Sequence, residues 1–592
     1  MSRSKSKRPR PSTPARPGDT ATGKGTPGTA TPAAASENGH TGKGGTAAPK
    51  SAAEHVQGVT GGKGASASAS EQGHAGKGGT AAPTSASAQG HAGKGGSAAP
   101  SSAAEHVRGV TDGTATPAAA AGHSSAGTAA AASGATAEHG NAGVPPGTTP
   151  SPSGGLPLNV LRVWLSAYRV EVVLFLVAFA VLASFSSQRF LRQSAAPHFV
   201  YQSQAWLEGR LDIDPQVLPN LEDWACVRVV NGEKVRCEGR PLPSDRWFVS
   251  FPSFPAVVML PFVALHGYQF NDTSFDVIFG ALAVALFYSL LRFLAKEGET
   301  ARNRNENIAL SLILAFGTLF FYCAIRGEVW FSAEVMGVAF TCLYARNSVR
   351  AHRPVLAGLF FSMATLTRTP LFFTGVFFVL EALCPGPESR LSQLKALGQN
   401  WKPAARKVGL FALGAAPLGL LAAAYNVYRF GRPGEFGHRF LFNNRVNADI
   451  DHWGLFHWEY LPRNLEAAFL KLPTVSFDPL RLAYDPYGLT LLLTLPLLVF
   501  LLIPKTRPRL HWPLWLTVAA CALPGLLYQN TGYMQFGFRF SLDYTPYLLL
   551  LFAIGGWSLR NRAVLFAVAL GVLVNFWGAV AFRGYTELVR NW

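Results

Sequence analysis

The chain has 592 residues, a formal net charge of +18 at pH 7 and a mean hydropathy of +0.17. This average combines a polar segment, 1–155, with a strongly apolar one, 156–592. Residues 1–155 contain no Leu, Ile, Phe, Trp, Tyr or Cys, so they cannot bury enough apolar surface to offset the chain entropy lost on folding. Composition therefore excludes a folded domain in this part and predicts a disordered, low-complexity tail.

The tail contains internal repeats, because the stretch 39–60 returns at 90–111 with few changes. Neither copy has an apolar face, which indicates low-complexity sequence rather than a solenoid. A near P-loop, GDTATGK from Gly18, has Gly25 where the motif requires Ser or Thr. Six of the first sixteen residues are basic, and with membrane spans following they predict a tail held in the cytoplasm by its charge. No nucleic-acid partner is expected.

The segment 156–592 contains apolar runs of the length needed to cross about 30 Å of hydrocarbon. They predict an all-α polytopic membrane protein with about eleven transmembrane helices. The predicted spans are 170–187, 273–293, 308–325, 329–346, 354–368, 370–384, 408–427, 488–503, 512–528, 544–558 and 563–582. Two long loops lie between spans, 188–272 and 429–487.

One apolar stretch, FPSFPAVVMLPFVALHG from Phe251, is not counted as a span. It contains Pro252, Pro255 and Pro261, which remove backbone donors and favour kinks. If this stretch does not cross, Lys and Arg fall mostly on the side of the tail, as the positive-inside rule requires. We therefore expect it to lie along, or dip into, the outer surface. Both long loops are then extracytoplasmic.

The first long loop contains the segment CVRVVNGEKVRC, in which Asn231-Gly232 is a hairpin turn signal. With a two-residue turn, Val230 faces Glu233 and Cys226 falls opposite Cys237. The pattern predicts a β-hairpin closed by a disulfide bond, which implies an oxidising, extracytoplasmic compartment.

The same loop opens with PHFVYQSQAWLEGRLDID, which predicts a short interfacial helix between Pro197 and Gly209. Asp212 and Asp214 follow its end, near the headgroup level. Two solvated loop carboxylates are one interpretation of this pair. The other is an acidic site above the helical bundle, facing the compartment in which lipid-linked substrates are presented.

Five strings occur in a characteristic order along the apolar segment: HFVYQSQAWLEGRLDI, FPSFPAVVMLPFVALHG, ATLTRTP, YNVYRFGRPGEFGH and FGFRFSLDYTPYLLLL. In order and sidedness, these strings resemble the GT-C class of polytopic glycosyltransferases, particularly bacterial relatives of the protein O-mannosyltransferases and the aminoarabinose transferases. The resemblance covers about 170–557. It implies a multi-pass protein of the bacterial plasma membrane that transfers a sugar from a polyprenyl-phosphate donor to a hydroxyl group of a glycan, lipid or protein on the extracytoplasmic face.

The chain departs from the family where many members have an Asp-Glu pair at the start of the first long loop, because Pro197-His198 stands there. The reaction needs a base for the acceptor proton, and Asp212, Asp214 and His198 are the candidates. The Asp212–Asp214 pair could instead hold a divalent cation through its oxygens.

The departing lipid phosphate requires positive charge, and a guanidinium group binds two phosphate oxygens at once. Arg326, Arg368 and Arg539 lie at the outer ends of predicted spans and are the candidates, with snorkelling to lipid headgroups as the alternative. Glu328 and Glu334 complete the predicted substrate-binding set. Glu334 lies about 9 Å along its helix from Glu328, where an ionisable group is either functional or a structural partner of Arg326.

Two other classes compete with an enzyme. A transporter or lipid flippase is favoured by ionisable residues at the bilayer centre and by paired interrupted helices, which the sequence does not display. A non-catalytic membrane scaffold would use the long tail to recruit partners.

Overall fold

The computed structural model describes residues 166–582, except 219, 220, 222, 387–389, 478, 479 and 484, and it leaves out some further side chains in 390–483. The predicted tail, 1–155, lies outside the described residues. The described part is mostly helical, with five short strands. This agrees with the predicted all-α class at the level of the bundle.

Four helices in the described ranges are long and apolar enough to cross a membrane by length and composition. They are Arg169–Ser186, which a short 3₁₀ turn extends to Leu191, Asp272–Lys296, Lys402–Phe430 and Arg562–Ala581. Each coincides with a predicted span. These helices support the prediction of a helical membrane protein, and the count of eleven spans stays a prediction.

Of the other predicted spans, 329–346 forms one continuous helix of 20 residues, Val329–Ser348, and the rest are shorter or interrupted helices. Gly317 separates two helices within 308–325, and Pro496 lies between two short helices within 488–503, because a proline removes a helical hydrogen bond. Besides the four long helices, the α-helices are His198–Leu207, Phe254–His266, Arg304–Phe316, Phe320–Cys323, Val329–Ser348, Pro354–Thr365, Gly375–Leu383, Arg390–Gln399, Asn444–Trp453, Leu461–Phe469, Leu491–Thr494, Leu498–Leu502, His511–Leu526 and Thr545–Ile554.

The proline-rich stretch forms the helix Phe254–His266. Pro252 precedes this helix and Pro255 lies in its first turn, where the missing N–H has no helical acceptor, so only Pro261 interrupts the hydrogen-bond ladder. At 13 residues the helix is about 20 Å long, which is less than the hydrocarbon thickness. Its depth in the membrane stays a prediction.

The predicted hairpin is present in the first long loop. Strands Trp224–Val230 and Glu233–Arg236 are antiparallel in the expected register, and a third strand, Arg246–Val249, pairs with the other edge of the first. Asn231 and Gly232 both have positive φ, as this two-residue turn requires. Cys226 and Cys237 form a disulfide bond.

The two long loops pack against each other at one end of the helices. Arg236 of the hairpin lies 2.6 Å from Asp451 of the second loop. Ala225 forms a β-bridge with Leu441. The second loop also contains the paired strands Thr474–Phe477 and Leu480–Ala483. The polar groups of both loops are therefore brought to the same end of the bundle.

Candidate functional site

Four charged side chains from three separate segments meet inside the bundle, and we call Glu334, Arg368, Arg539 and Asp543 the charged cluster. Arg368 forms a two-point ion pair with Asp543, with Nε–Oδ1 and Nη2–Oδ2 distances of 3.0 and 2.7 Å. Oε1 of Glu334 lies 3.3 Å from Nε of Arg539 and 3.7 Å from Nη2 of Arg368. Glu334, Arg539 and Asp543 are buried, with the Glu334 side chain 0% exposed, and the Arg368 side chain is 14% exposed.

The local sequence explains how these groups reach one point. Glu334 lies in the second turn of the helix Val329–Ser348. Gly337, three residues later, gives Arg368 space, since a Cβ there would lie 3.2 Å from Cγ of Arg368. Arg539 and Asp543 begin and end one 3₁₀ helix, so a single short segment carries both to the cluster.

The charged cluster contains two guanidinium groups and two carboxylates, so its formal charge is zero. Burying ions costs several kcal/mol each unless their partners compensate. Glu334 is the least satisfied member, because its Oε1 has an ion pair but no hydrogen bond, and Nε of Arg539 has none either, within the described part of the chain. An anionic ligand could therefore take over a guanidinium donor from Glu334.

Arg326 and Glu328 form a second pair beside the cluster. The Nη2–Oε1 distance is 2.9 Å, and both side chains are largely buried. Arg326 and Arg539 lie over the Phe331 ring, 5.4 and 5.6 Å from its centroid. Glu334 therefore pairs with Arg368 and Arg539, whereas the partner of Arg326 is Glu328.

Gly327 fixes the turn between Arg326 and Glu328. It has a φ of +85°, and a Cβ there would lie 2.5 Å from Oγ1 of Thr273, so the turn packs directly on the helix Asp272–Lys296. The Gly327 N–H donates to Oδ2 of Asp276. The structure thus brings together all five predicted substrate-binding residues: Arg326, Glu328, Glu334, Arg368 and Arg539.

His198, a candidate base, is buried at the start of the helix His198–Leu207. Its ring stacks on Trp224 with a centroid distance of 4.0 Å, and Trp330 and Phe251 lie at 6.2 and 6.4 Å. Burial lowers the pKa of His198 to about 4, so this imidazole is neutral at pH 7. Trp330 precedes Phe331 in the sequence, and the Phe331 ring lies under Arg326 and Arg539.

His438 is a residue that the sequence interpretation did not single out. Its half-buried ring contacts Phe251 and Tyr528 edge-on, at 5.6 and 5.9 Å. Burial, followed by the nearby charges of Arg368 and Arg429, lowers the pKa of His438 to about 4. A neutral imidazole therefore lies close to Arg368.

Gly437 positions this imidazole. It has a φ of +100°, and a Cβ there would lie 2.7 Å from the Phe430 ring and 3.0 Å from Cα of Ser250. The backbone before His438 consequently passes closer to the first loop than any other residue type allows. The string GEFGH around Gly437 was a sequence signal for this site.

Asp212 and Asp214 bind other partners. Both oxygens of Asp212 accept hydrogen bonds from Arg246, at 3.1 and 3.2 Å. Oδ1 of Asp214 accepts from the backbone N–H of Gln216 and caps a 3₁₀ turn. The two carboxylates thus bind different partners and do not form one acidic pair. Their catalytic role stays a prediction.

The side chains that could coordinate a metal ion fit this role poorly. Both oxygens of Asp212 already face a guanidinium group, which repels a cation. Among the described residues, one group of metal-ligand type is compact, Cys226, Cys237 and Asp245. Its sulfurs form the disulfide bond and its carboxylate binds Arg228 at 2.8 Å. A divalent cation therefore stays a prediction from sequence alone.

Asp543 was also missed. Its distance of four residues from Arg539 gave no signal, because the segment forms a 3₁₀ helix, in which residues three apart share a face.

Comparison of the chain with protein-family models, with curated proteins and with solved structures gives no match.

Proposed function

We propose that the chain transfers a sugar from a polyprenyl-phosphate donor to a hydroxyl group of a glycan, lipid or protein, on the extracytoplasmic face of a bacterial plasma membrane. One observation carries the proposal: Arg368 and Arg539 converge on the carboxylates of Glu334 and Asp543, at the end of the bundle where both long loops pack. A buried cluster of this kind at membrane depth is a functional site by default.

The transfer step requires stabilisation of the negative charge that develops on the leaving phosphate. The acceptor oxygen forms a bond to C1 of the sugar, the C1–O bond to the phosphate breaks, and the electron pair leaves with the polyprenyl phosphate. The leaving phosphate therefore gains one negative charge. Arg368 and Arg539 are suited to receive it, because guanidinium groups in a site of low dielectric stabilise developing phosphate charge.

The acceptor hydroxyl must lose a proton. We propose His438 as the base, because it is neutral at pH 7, only partly buried and close enough to Arg368 to feel its charge. Burial, followed by the positive charge of Arg368, lowers the pKa of His438. A phosphate bound at Arg368 would offset this charge, raise the pKa of His438 and so make it a stronger base. Asp212, Asp214 and His198 remain alternatives.

A transporter or lipid flippase is the second candidate, and the buried charged cluster itself favours it, because such groups line ion and substrate pathways. The two candidates differ in chemistry. An enzyme releases polyprenyl phosphate and labels an acceptor, whereas a transporter moves its substrate unchanged.

The test uses membranes that contain the full chain, supplied with polyprenyl-phosphate sugars radiolabelled in the sugar. Arg539→Gln should reduce label transfer by about 10²–10³-fold, the usual effect of removing one donor to a developing anion. Arg240→Gln, at an exposed arginine of the first long loop, is the matched control and should leave transfer unchanged. Transfer that is equal in folded Arg539→Gln and in the native protein would contradict the proposed site. Label that crosses the membrane still attached to its lipid would support the flippase.

A further inference from the structure

A second charged site lies at the opposite end of the bundle from the charged cluster. It is a cavity of about 470 Å³ lined by Tyr168, Arg292, Lys296, Arg346, His352 and Arg353, among others. About 30 Å of helix separates Lys296 from Asp276, which contacts the Arg326–Glu328 turn. This distance equals the hydrocarbon thickness, so the cavity lies at the headgroup level of the other leaflet.

The cavity has an excess of positive charge. Arg292 is paired with Glu171 at 2.9 Å, and the acidic lining residue Glu297 lies 3.9 Å from Arg350. Lys296, Arg346 and Arg353, by contrast, have no carboxylate within 4.0 Å among the residues that the structure describes. Three cationic side chains of one cavity thus have no anionic partner there.

Arg346 is the most constrained of the three. Its guanidinium carbon lies 5.5 Å from the centroid of the Phe293 ring, and its Nε is buried without a hydrogen-bond partner within the described ranges. The Arg346 side chain is half-buried, so its guanidinium group is held in place rather than free in solvent. A fixed guanidinium fork matches the paired oxygens of a phosphate group.

We propose that this basic cavity binds the phosphate headgroup of an anionic membrane lipid in the leaflet opposite the charged cluster. Basic pockets between membrane helices bind such headgroups. An apolar track beside the cavity favours a lipid over free phosphate: Tyr168 immediately precedes the helix Arg169–Ser186, on which Val173, Leu176 and Val177 are 57, 55 and 44% exposed. The acyl chains lie along this face while the phosphate contacts Arg346 and Arg353.

The test compares the full chain in nanodiscs of phosphatidylcholine alone and of phosphatidylcholine mixed with phosphatidylglycerol. Lipids retained after release into detergent are counted by native mass spectrometry. The native protein should retain phosphatidylglycerol in preference to phosphatidylcholine. Arg346→Gln combined with Arg353→Gln should weaken this retention about thirtyfold, since each charge near a lipid headgroup contributes about a factor of five.

Arg406→Gln removes an exposed arginine outside the cavity and is the matched control, with retention expected to be unchanged. Equal retention by the double variant would overturn the proposal, and so would equal retention of the two lipids by the native protein. Inorganic phosphate is the second probe. If it binds the native protein in phosphatidylcholine nanodiscs and removes the retained phosphatidylglycerol, the site is one for free phosphate and the lipid assignment is wrong. If the double variant does not fold, Arg353→Gln alone should weaken retention about fivefold.

Discussion

Replacing His198 by Phe should reduce the loss of folded stability that this protein undergoes as the pH falls. His198 is buried, stacks on Trp224 and has a pKa of about 4, below the ordinary value of 6.5. The unfolded chain therefore binds a proton at His198 near pH 6.5, whereas the folded protein does not until about pH 4. Folded stability is consequently lost as the pH falls through this window, and is fully present above it.

The size of the effect follows from the pKa difference. Each pKa unit corresponds to about 1.4 kcal/mol, so a lowering of about 2.5 units costs the folded protein about 3 kcal/mol at pH 4. With an unfolding entropy of about 2 cal/mol/K per residue over roughly 400 residues, this amounts to about 4 °C in Tm at pH 4. Phe fills the same space and keeps the ring stacked on Trp224, but it binds no proton.

The assay is thermal unfolding of the purified proteins in detergent, from about pH 7.5 to about pH 4.5. The native protein should lose about 3 °C more than His198→Phe over this range. His438 and the carboxylates titrate in both proteins, so the difference between the two curves isolates His198. Two parallel curves would show that His198 is not buried as a neutral imidazole.

Three further changes test the architecture. Cys226→Ser should reduce the free energy of unfolding by about 3 kcal/mol, as expected for a loop of this length, and a reducing agent should destabilise the native protein but not the variant. Gly437→Ala should cost about 1–3 kcal/mol through backbone strain and should reduce sugar transfer, whereas Gly398→Ala, in open space, should do neither. Arg509→Gln should cost about 3–5 kcal/mol, because it leaves the buried carboxylates Glu299 and Glu381 without this partner; an unchanged Tm would contradict this.

Local patterns in the sequence determined the elements of the fold whose geometry is set by neighbouring residues. A two-residue Asn-Gly turn fixes the strand register, so the pairing of Val230 with Glu233 and the meeting of Cys226 with Cys237 followed from spacing alone. The long apolar runs likewise indicated membrane helices, because a helix satisfies its own backbone hydrogen bonds. Shorter runs misled in their detail, since Gly317 and Pro496 interrupt helices that composition alone would continue.

Only the tertiary structure decided which charges neutralise each other. Arg368 and Asp543 are 175 residues apart, and their pairing depends on how separate helices pack, which no spacing rule encodes. The same holds for Asp212, whose carboxylate is occupied by Arg246 in a neighbouring strand, and for His438, which a glycine of the second loop places near Arg368. Sequence predicted that the arginines lie at the outer ends of spans, and long-range packing selected their partners, because burial forces each charge to find a counter-charge wherever the fold provides one.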